Sequence, residues 1–174
     1  MSVRPPWLSL AHELLGLLET PGVASNPLIL QWAQDLGLGK IYTTDGTAWC
    51  ALFACRMLHG AGLTLPWQSE AHNPYDLLRA ASFRTWGVPL TTPAPGAIMV
   101  YTRPGGDHVN FYVGERAHDG AIRGLGGNQS DAVTATWIAK ARLTDIRWPA
   151  DYPLPTTGRV VLASAGVKTS QNEA

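Results

Sequence analysis

Two residue types in this chain of 174 residues could supply nucleophilic chemistry: a cysteine at a helix start and a histidine at the head of a strand. Cys50 lies in Thr47-Ala48-Trp49-Cys50-Ala51-Leu52-Phe53, and Cys50, Phe53, Ala54, Met57, Leu58 and Ala61 recur at steps of three and four. That spacing predicts a helix over about 48–61 with one apolar stripe, capped by Thr47 or Asp45 and ended by Gly60 and Gly62. A cysteine in the first turn meets about half a positive charge and unpaired N–H groups, which favour the thiolate. The same N–H groups can bind an oxyanion when an amide carbonyl is attacked. On helix position alone, a small buried core residue is the commoner fate of a lone cysteine. Cys55 differs: it points roughly 140° away at ~100° per residue, and ~7.5 Å of axial rise places a disulfide out of reach.

His108 shifts that balance. In Asp107-His108-Val109-Asn110-Phe111-Tyr112-Val113-Gly114, strand alternation puts Val109, Phe111 and Val113 on one face. His108, Asn110 and Tyr112 fall on the other, where an imidazole can meet a helix packed over the sheet. The other histidines, His12, His59, His72 and His118, sit in helices or near turns and read as solvated. Asn128, in Gly124-Leu125-Gly126-Gly127-Asn128-Gln129, is the candidate third group, able to fix the imidazole's tautomer. As a dinucleotide fingerprint that run fails, having Gln129 where the last glycine belongs. Gly39-Lys40 likewise lacks the upstream glycine of a phosphate loop, and no zinc-protease or serine-elbow motif occurs.

The elements that must position these residues are helices first and strands second. Helices are predicted over 6–20, from Asn26-Pro27 to Gly37, over 48–61 and over 74–83, from apolar steps, caps and Pro/Gly stops. Strands are predicted over 97–101, 108–113, 121–125, 132–138 and 143–148, separated by turns such as Pro104-Gly105-Gly106-Asp107. This is an α+β pattern. Residues 1–150 read as one domain, and 151–174 as an extension that packs briefly and is partly disordered.

Composition narrows the partners. The formal net charge is zero, with 45% apolar and 15% charged residues, which argues against nucleic acid and gives no pull toward an anionic membrane. Seven tryptophans suit a sugar or peptide groove as well as a core. Neither a signal-peptide h-region nor the ~20 apolar residues of a membrane span is present, so synthesis in the cytoplasm without a cleaved signal is expected.

Four segments in order carry a family resemblance. They are Thr47-Ala48-Trp49-Cys50-Ala51-Leu52-Phe53, Pro95-Gly96-Ala97-Ile98-Met99-Val100, His108 to Gly114, and Gly126-Gly127-Asn128-Gln129. The chain resembles the CHAP and NlpC-type papain-like peptidoglycan hydrolases, especially a compact group in phage lysis proteins (endolysins) and bacterial cell-wall toxins. The likeness extends from about Trp7 to Pro149. It departs at Asn110, where a small glycine is common, and at Gly46, in a stretch often acidic.

The resemblance implies a papain-like fold with Cys50 as nucleophile, His108 as base and Asn128 as the third residue. Asp45, Thr47, Trp49, Asn110 and Gln129 would surround the substrate and the oxyanion. No metal or organic cofactor is called for. Peptidoglycan is the implied partner and the cell wall (periplasmic or extracellular) the implied place of action. A holin, a secretion machine or a cognate inhibitor protein would be needed for delivery. The rival expectations are a thiol acyltransferase on the same fold and a catalytically dead wall-binding or phage-structural module.

Overall fold

The computed structural model describes residues 4–163 and 168–173. Three helices, α1 (Pro6–Glu13), α2 (Pro27–Asp35) and α3 (Cys50–Gly60), precede the strands. These are β1 (Val88–Pro89), β2 (Ile98–Arg103), β3 (Gly106–Arg116), β4 (Ile122–Gly126), β5 (Thr134–Ile138), β6 (Leu143–Trp148) and β7 (Val161–Leu162). The α+β order expected from the sequence is the order found. The sheet runs β1-β6-β2-β3-β4-β5 with antiparallel neighbours, and β7 adds in parallel to β3 at Glu115 and Arg116. No helix among the described residues is long and apolar enough to cross a membrane.

Local chemistry explains the boundaries. Asn26 caps α2 by accepting from the Leu28 N–H, and Pro27 fills the first helical position, where its missing N–H costs nothing. The first helix ends at Glu13, short of the predicted Thr20. There the chain is captured by the loop before β5: Gly16 N–H donates to Val133 O and Glu19 N–H to Asp131 O. The predicted helix over 74–83 is two 3₁₀ turns, Pro74–Leu78 and Ala80–Arg84.

Helix α3 is enclosed on nearly all sides, not along one stripe. Residues Cys50 to Cys55, Met57 and Leu58 are all buried. Phe53 packs against Trp32 of α2 and Phe111 of β3, with ring centroids 5.7 and 6.3 Å away. On the opposite side the Cys55 thiol meets Leu77 O at 3.5 Å. Full burial of each Leu or Phe contributes about 1.5–3 kcal/mol, so this central helix anchors the core. All seven tryptophans are buried, so they build the core and none offers an exposed platform for a sugar.

Beyond Trp148 the chain stays with the sheet. β7 pairs with β3, Ser170 forms a bridge to Ile138, and Glu173 is buried. Residues 164–167 and 174, part of the segment expected to be disordered, lie outside the described residues, as do Met1, Ser2 and Val3.

Candidate active site

Cys50 is the first residue of α3, and Trp49 is its N-cap residue with no side-chain cap bond. The expected caps are placed elsewhere. Asp45 is buried, and its carboxylate accepts from the Thr20 and Asn26 N–H groups at 3.0 and 2.7 Å, clamping the loop before the helix onto the start of α2. Thr47 is exposed, and its carbonyl accepts from the Tyr42 hydroxyl at 2.8 Å. The Trp49 N–H donates to Asn128 Oδ1 at 3.3 Å, and its indole N–H to Glu19 at 3.1 Å. Asn128 therefore holds the helix start in place, reaching it from the β4–β5 loop.

Strand β4 ends at Gly126, leaving the neighbouring edge of β3 open around His108 and Val109. The Cys50 thiol lies near that edge, close enough for the backbone of Val109, and of Ala51 and Cys50 itself, to favour its thiolate. Glycine is required nearby for space. A Cβ on Gly127 would meet Trp49 and Phe53 at 2.6 and 2.7 Å, and one on Gly124 would overlap the Asn110 amide. The glycine run that mimics a nucleotide loop thus lets this turn close onto α3 and β3.

The alternation predicted for β3 is present, but the helix lies on the other face. Phe111, not His108, faces α3 through Phe53. His108 and Asn110 both turn to Gln129: His108 Nε2 lies 3.0 Å from Gln129 Oε1, and Asn110 Nδ2 donates to the same oxygen at 3.1 Å. The thiol accordingly meets β3 at its edge, one residue from the imidazole, and not across the sheet face.

The bond to the imidazole expected of Asn128 is made by its neighbour. Asn128 has φ of 54°, a left-handed turn that Asn tolerates, and this directs residues 128 and 129 oppositely, one to the helix and one to the histidine. Gln129 is itself fixed, its Nε2 donating to Thr134 O at 2.6 Å and Gly124 O at 3.2 Å. With the amide nitrogen pinned by two carbonyls, Oε1 can only accept. His108 Nε2 must then carry the proton, and Nδ1 is left as the basic nitrogen. The sequence reading places Gln129 only among the groups around the substrate. The signal for its role was adjacency to a left-handed Asn, which the sequence shows only as a Gly-Gly-Asn-Gln turn.

Both candidate groups are enclosed, Cys50 being 4% and His108 1% exposed. Burial lowers the His108 pKa to about 4, opposed by the nearby Glu173 charge and the Gln129 bond. It raises the Cys50 thiol, opposed by the backbone of Val109, Ala51 and Cys50 and by the Arg103 charge. Burial thus favours the neutral thiol and the neutral imidazole. Among the described residues no group of three or more His, Cys, Asp or Glu could hold a metal ion.

No curated protein and no solved structure matches the chain. A family model described as the CHAP domain matches residues 42–128, which is half of the chain and includes both Cys50 and His108. This family match and the α+β architecture agree: the chain belongs to the CHAP domain family, with a papain-like fold.

Proposed function

We propose that this protein is a cysteine amidase or endopeptidase that cuts an amide of the peptidoglycan stem peptide. Family membership supports the general class. The observation that best supports the mechanism is the pinned Gln129 amide, which accepts from His108 Nε2 and so leaves Nδ1 as the basic nitrogen, one residue along β3 from the Val109 backbone that acts on the Cys50 thiol.

In this reading His108 Nδ1 takes the thiol proton as sulfur attacks the amide carbonyl. The oxyanion forms beside the N–H groups of the first turn of α3, which have no intrahelical partner. His108 then gives that proton to the leaving amine, and the C–N bond breaks to an acyl-enzyme. Water attacks the thioester with His108 as base, releasing the carboxylate and restoring the thiol. Gln129 touches neither substrate nor sulfur and acts as a positioning residue.

Incubation with purified sacculi and mass spectrometry of the soluble fraction tests this. Fragments carrying a newly freed amine and carboxylate are expected, and they should vanish with Cys50→Ala. Products carrying an added amine would show acyl transfer instead. Absence of any new product from intact enzyme would refute both enzymatic readings.

A further inference from the structure

A base that serves a polymeric substrate needs an open approach, and His108 is buried on the face of the sheet away from α3. Tyr101 and His108 are partners across β2 and β3, with rings 6.4 Å apart, so both lie on that face. The segment 168–173 runs between β5 and the end of β2. Ser170 N–H donates to Trp137 O at 2.7 Å, and Arg103 donates to Asn172 Oδ1 at 3.1 Å. The Glu173 charge acts on both His108 and Tyr101, which puts this residue on their side of the sheet.

The hold on the segment is polar throughout. Lys168-Thr169-Ser170-Gln171-Asn172-Glu173 contains no apolar side chain, so no hydrophobic burial fixes it. Five of the six residues are exposed or half-buried, and only Glu173 is buried. Thr169 Oγ1 accepts from Arg116 at 2.7 Å, and Glu173 O accepts from the Ser130 N–H at 2.8 Å. The net contribution of such a hydrogen bond is of the same order as the entropy lost in ordering one backbone residue, so these contacts do little more than offset the ordering of the segment. The ion pair remains. Arg142 holds the fully shielded Glu173 carboxylate with both terminal nitrogens, at 2.7 and 2.5 Å. Removing either partner leaves an uncompensated charge that is relieved when the segment lifts and water enters.

We propose that the segment 168–173 is an autoinhibitory strap, seated by the Arg142–Glu173 pair over His108, which lifts without unfolding of the sheet and opens the base to substrate. The base keeps its orientation on opening, because Gln129 is pinned by Thr134 O and Gly124 O and not by the strap. The inhibitory role rests on the hydrolase reading, but the opening itself can be measured without turnover.

Diethyl pyrocarbonate, which modifies unprotonated imidazoles, probes the cover on the full chain, with each histidine followed by peptide mass spectrometry. Maleimide labelling of Cys55, buried in the interior of α3, reports opening of the core in the same way. In low urea the His108 rate should be nearly independent of urea, since a lifted strap exposes little surface, while the Cys55 rate rises steeply. Glu173→Gln should raise the His108 rate by roughly 10- to 100-fold, the ratio that a hydrogen bond to a charged group supplies, and leave exposed His59 unchanged. Asn172→Ala removes the bond to Arg103 at an exposed position and should give a smaller rise in the same direction. Hydrolysis of sacculi by Glu173→Gln should rise together with the His108 rate.

A His108 rate as urea-dependent as that of Cys55 would overturn the strap, since the imidazole would then be uncovered only by unfolding. Faster modification of His108 in Glu173→Gln with hydrolysis unchanged or slower would overturn it too, making the segment a support for the base. Opening by these rates in a protein that cleaves no wall would leave the strap standing and remove the hydrolase reading instead.

Discussion

Cys50 and Cys55 are the same residue on the same helix, both free thiols and both enclosed, yet their surroundings assign them different chemistry. Cys50 opens α3, where first-turn N–H groups lack intrahelical partners, and the backbone of Val109, Ala51 and Cys50 favours its thiolate, as does the Arg103 charge. Cys55 lies in the helix interior, where the N–H groups are spent on the helix. Its thiol donates to the Leu77 carbonyl, and burial followed by the charge on Cys50 pushes its pKa up strongly. Burial acts against the thiolate in both places. Only at the helix start do neighbouring groups act for it, and that position is what favours Cys50 as the proposed nucleophile.

The largest expected effect breaks that comparison directly. Cys50→Ala and Cys50→Ser should each lower wall hydrolysis by at least about 10⁴-fold with the fold intact, as loss of a nucleophile does. Cys55→Ala should keep activity and cost about 1 kcal/mol of stability from the small cavity it leaves. Assays on sacculi with urea unfolding of each variant give both readouts. An inactive but folded Cys55→Ala would move the nucleophile into the middle of the helix.

A smaller effect separates two neighbours in the turn that serves Cys50. Gln129→Ala removes the acceptor of His108 Nε2–H and lets the other tautomer form, so turnover should fall by roughly 10²–10³-fold with KM nearly unchanged. Asn128→Ala removes only the acceptor of the Trp49 N–H, and should cost about 1 kcal/mol of stability with turnover kept within tenfold. Steady-state kinetics on a soluble muropeptide decide between them. The opposite assignment, with Asn128→Ala losing turnover and Gln129→Ala losing only stability, would restore Asn128 as the third group.

How much of this was legible follows from range. The steps of three and four from Cys50 to Ala61 and the alternation from His108 to Val113 are local patterns, and both elements formed with nearly those bounds. The partner of each face was not legible. Alternation separates His108 from Phe111 but cannot say which side α3 will cover, and here Phe53 chose Phe111. The choice between Asn128 and Gln129 turned on one positive φ, a property of the closed turn and not of either residue type. Longest in range was Glu173, whose carboxylate pairs with Arg142 from 31 residues away and whose charge acts on His108 from farther along the chain. Nothing in its local sequence, Gln171-Asn172-Glu173, distinguishes it from a solvated acid.

The smallest expected effect concerns stability and asks whether burial silences the active pair as it silences Cys55. The groups acting on His108 are Glu173 and Gln129, which favour its proton, and Arg103 and Arg142, which disfavour it, with burial outweighing them all. Its pKa is then about 4 in the folded protein against 6.5 unfolded. Between those values the unfolded chain binds a proton that the folded one refuses. Stability therefore rises with pH across that window and is lost on acidification, by up to about 3 kcal/mol from pH 7 to 4 at 1.36 kcal/mol per pKa unit. Glu173, whose net shift is downward because Arg142 and His108 outweigh its burial, adds a loss of the same sign as pH falls below the ordinary carboxylate range. Urea midpoints measured at pH 7, 5.5 and 4.5 in the parent, His108→Gln and Glu173→Gln proteins separate the two. His108→Gln should flatten the slope between pH 6.5 and 4.5, where Glu173→Gln changes it little. Equal slopes in parent and His108→Gln would mean that the imidazole is already hydrated in solution, and that Cys50 and Cys55 differ in solvent access as well as in their N–H neighbours.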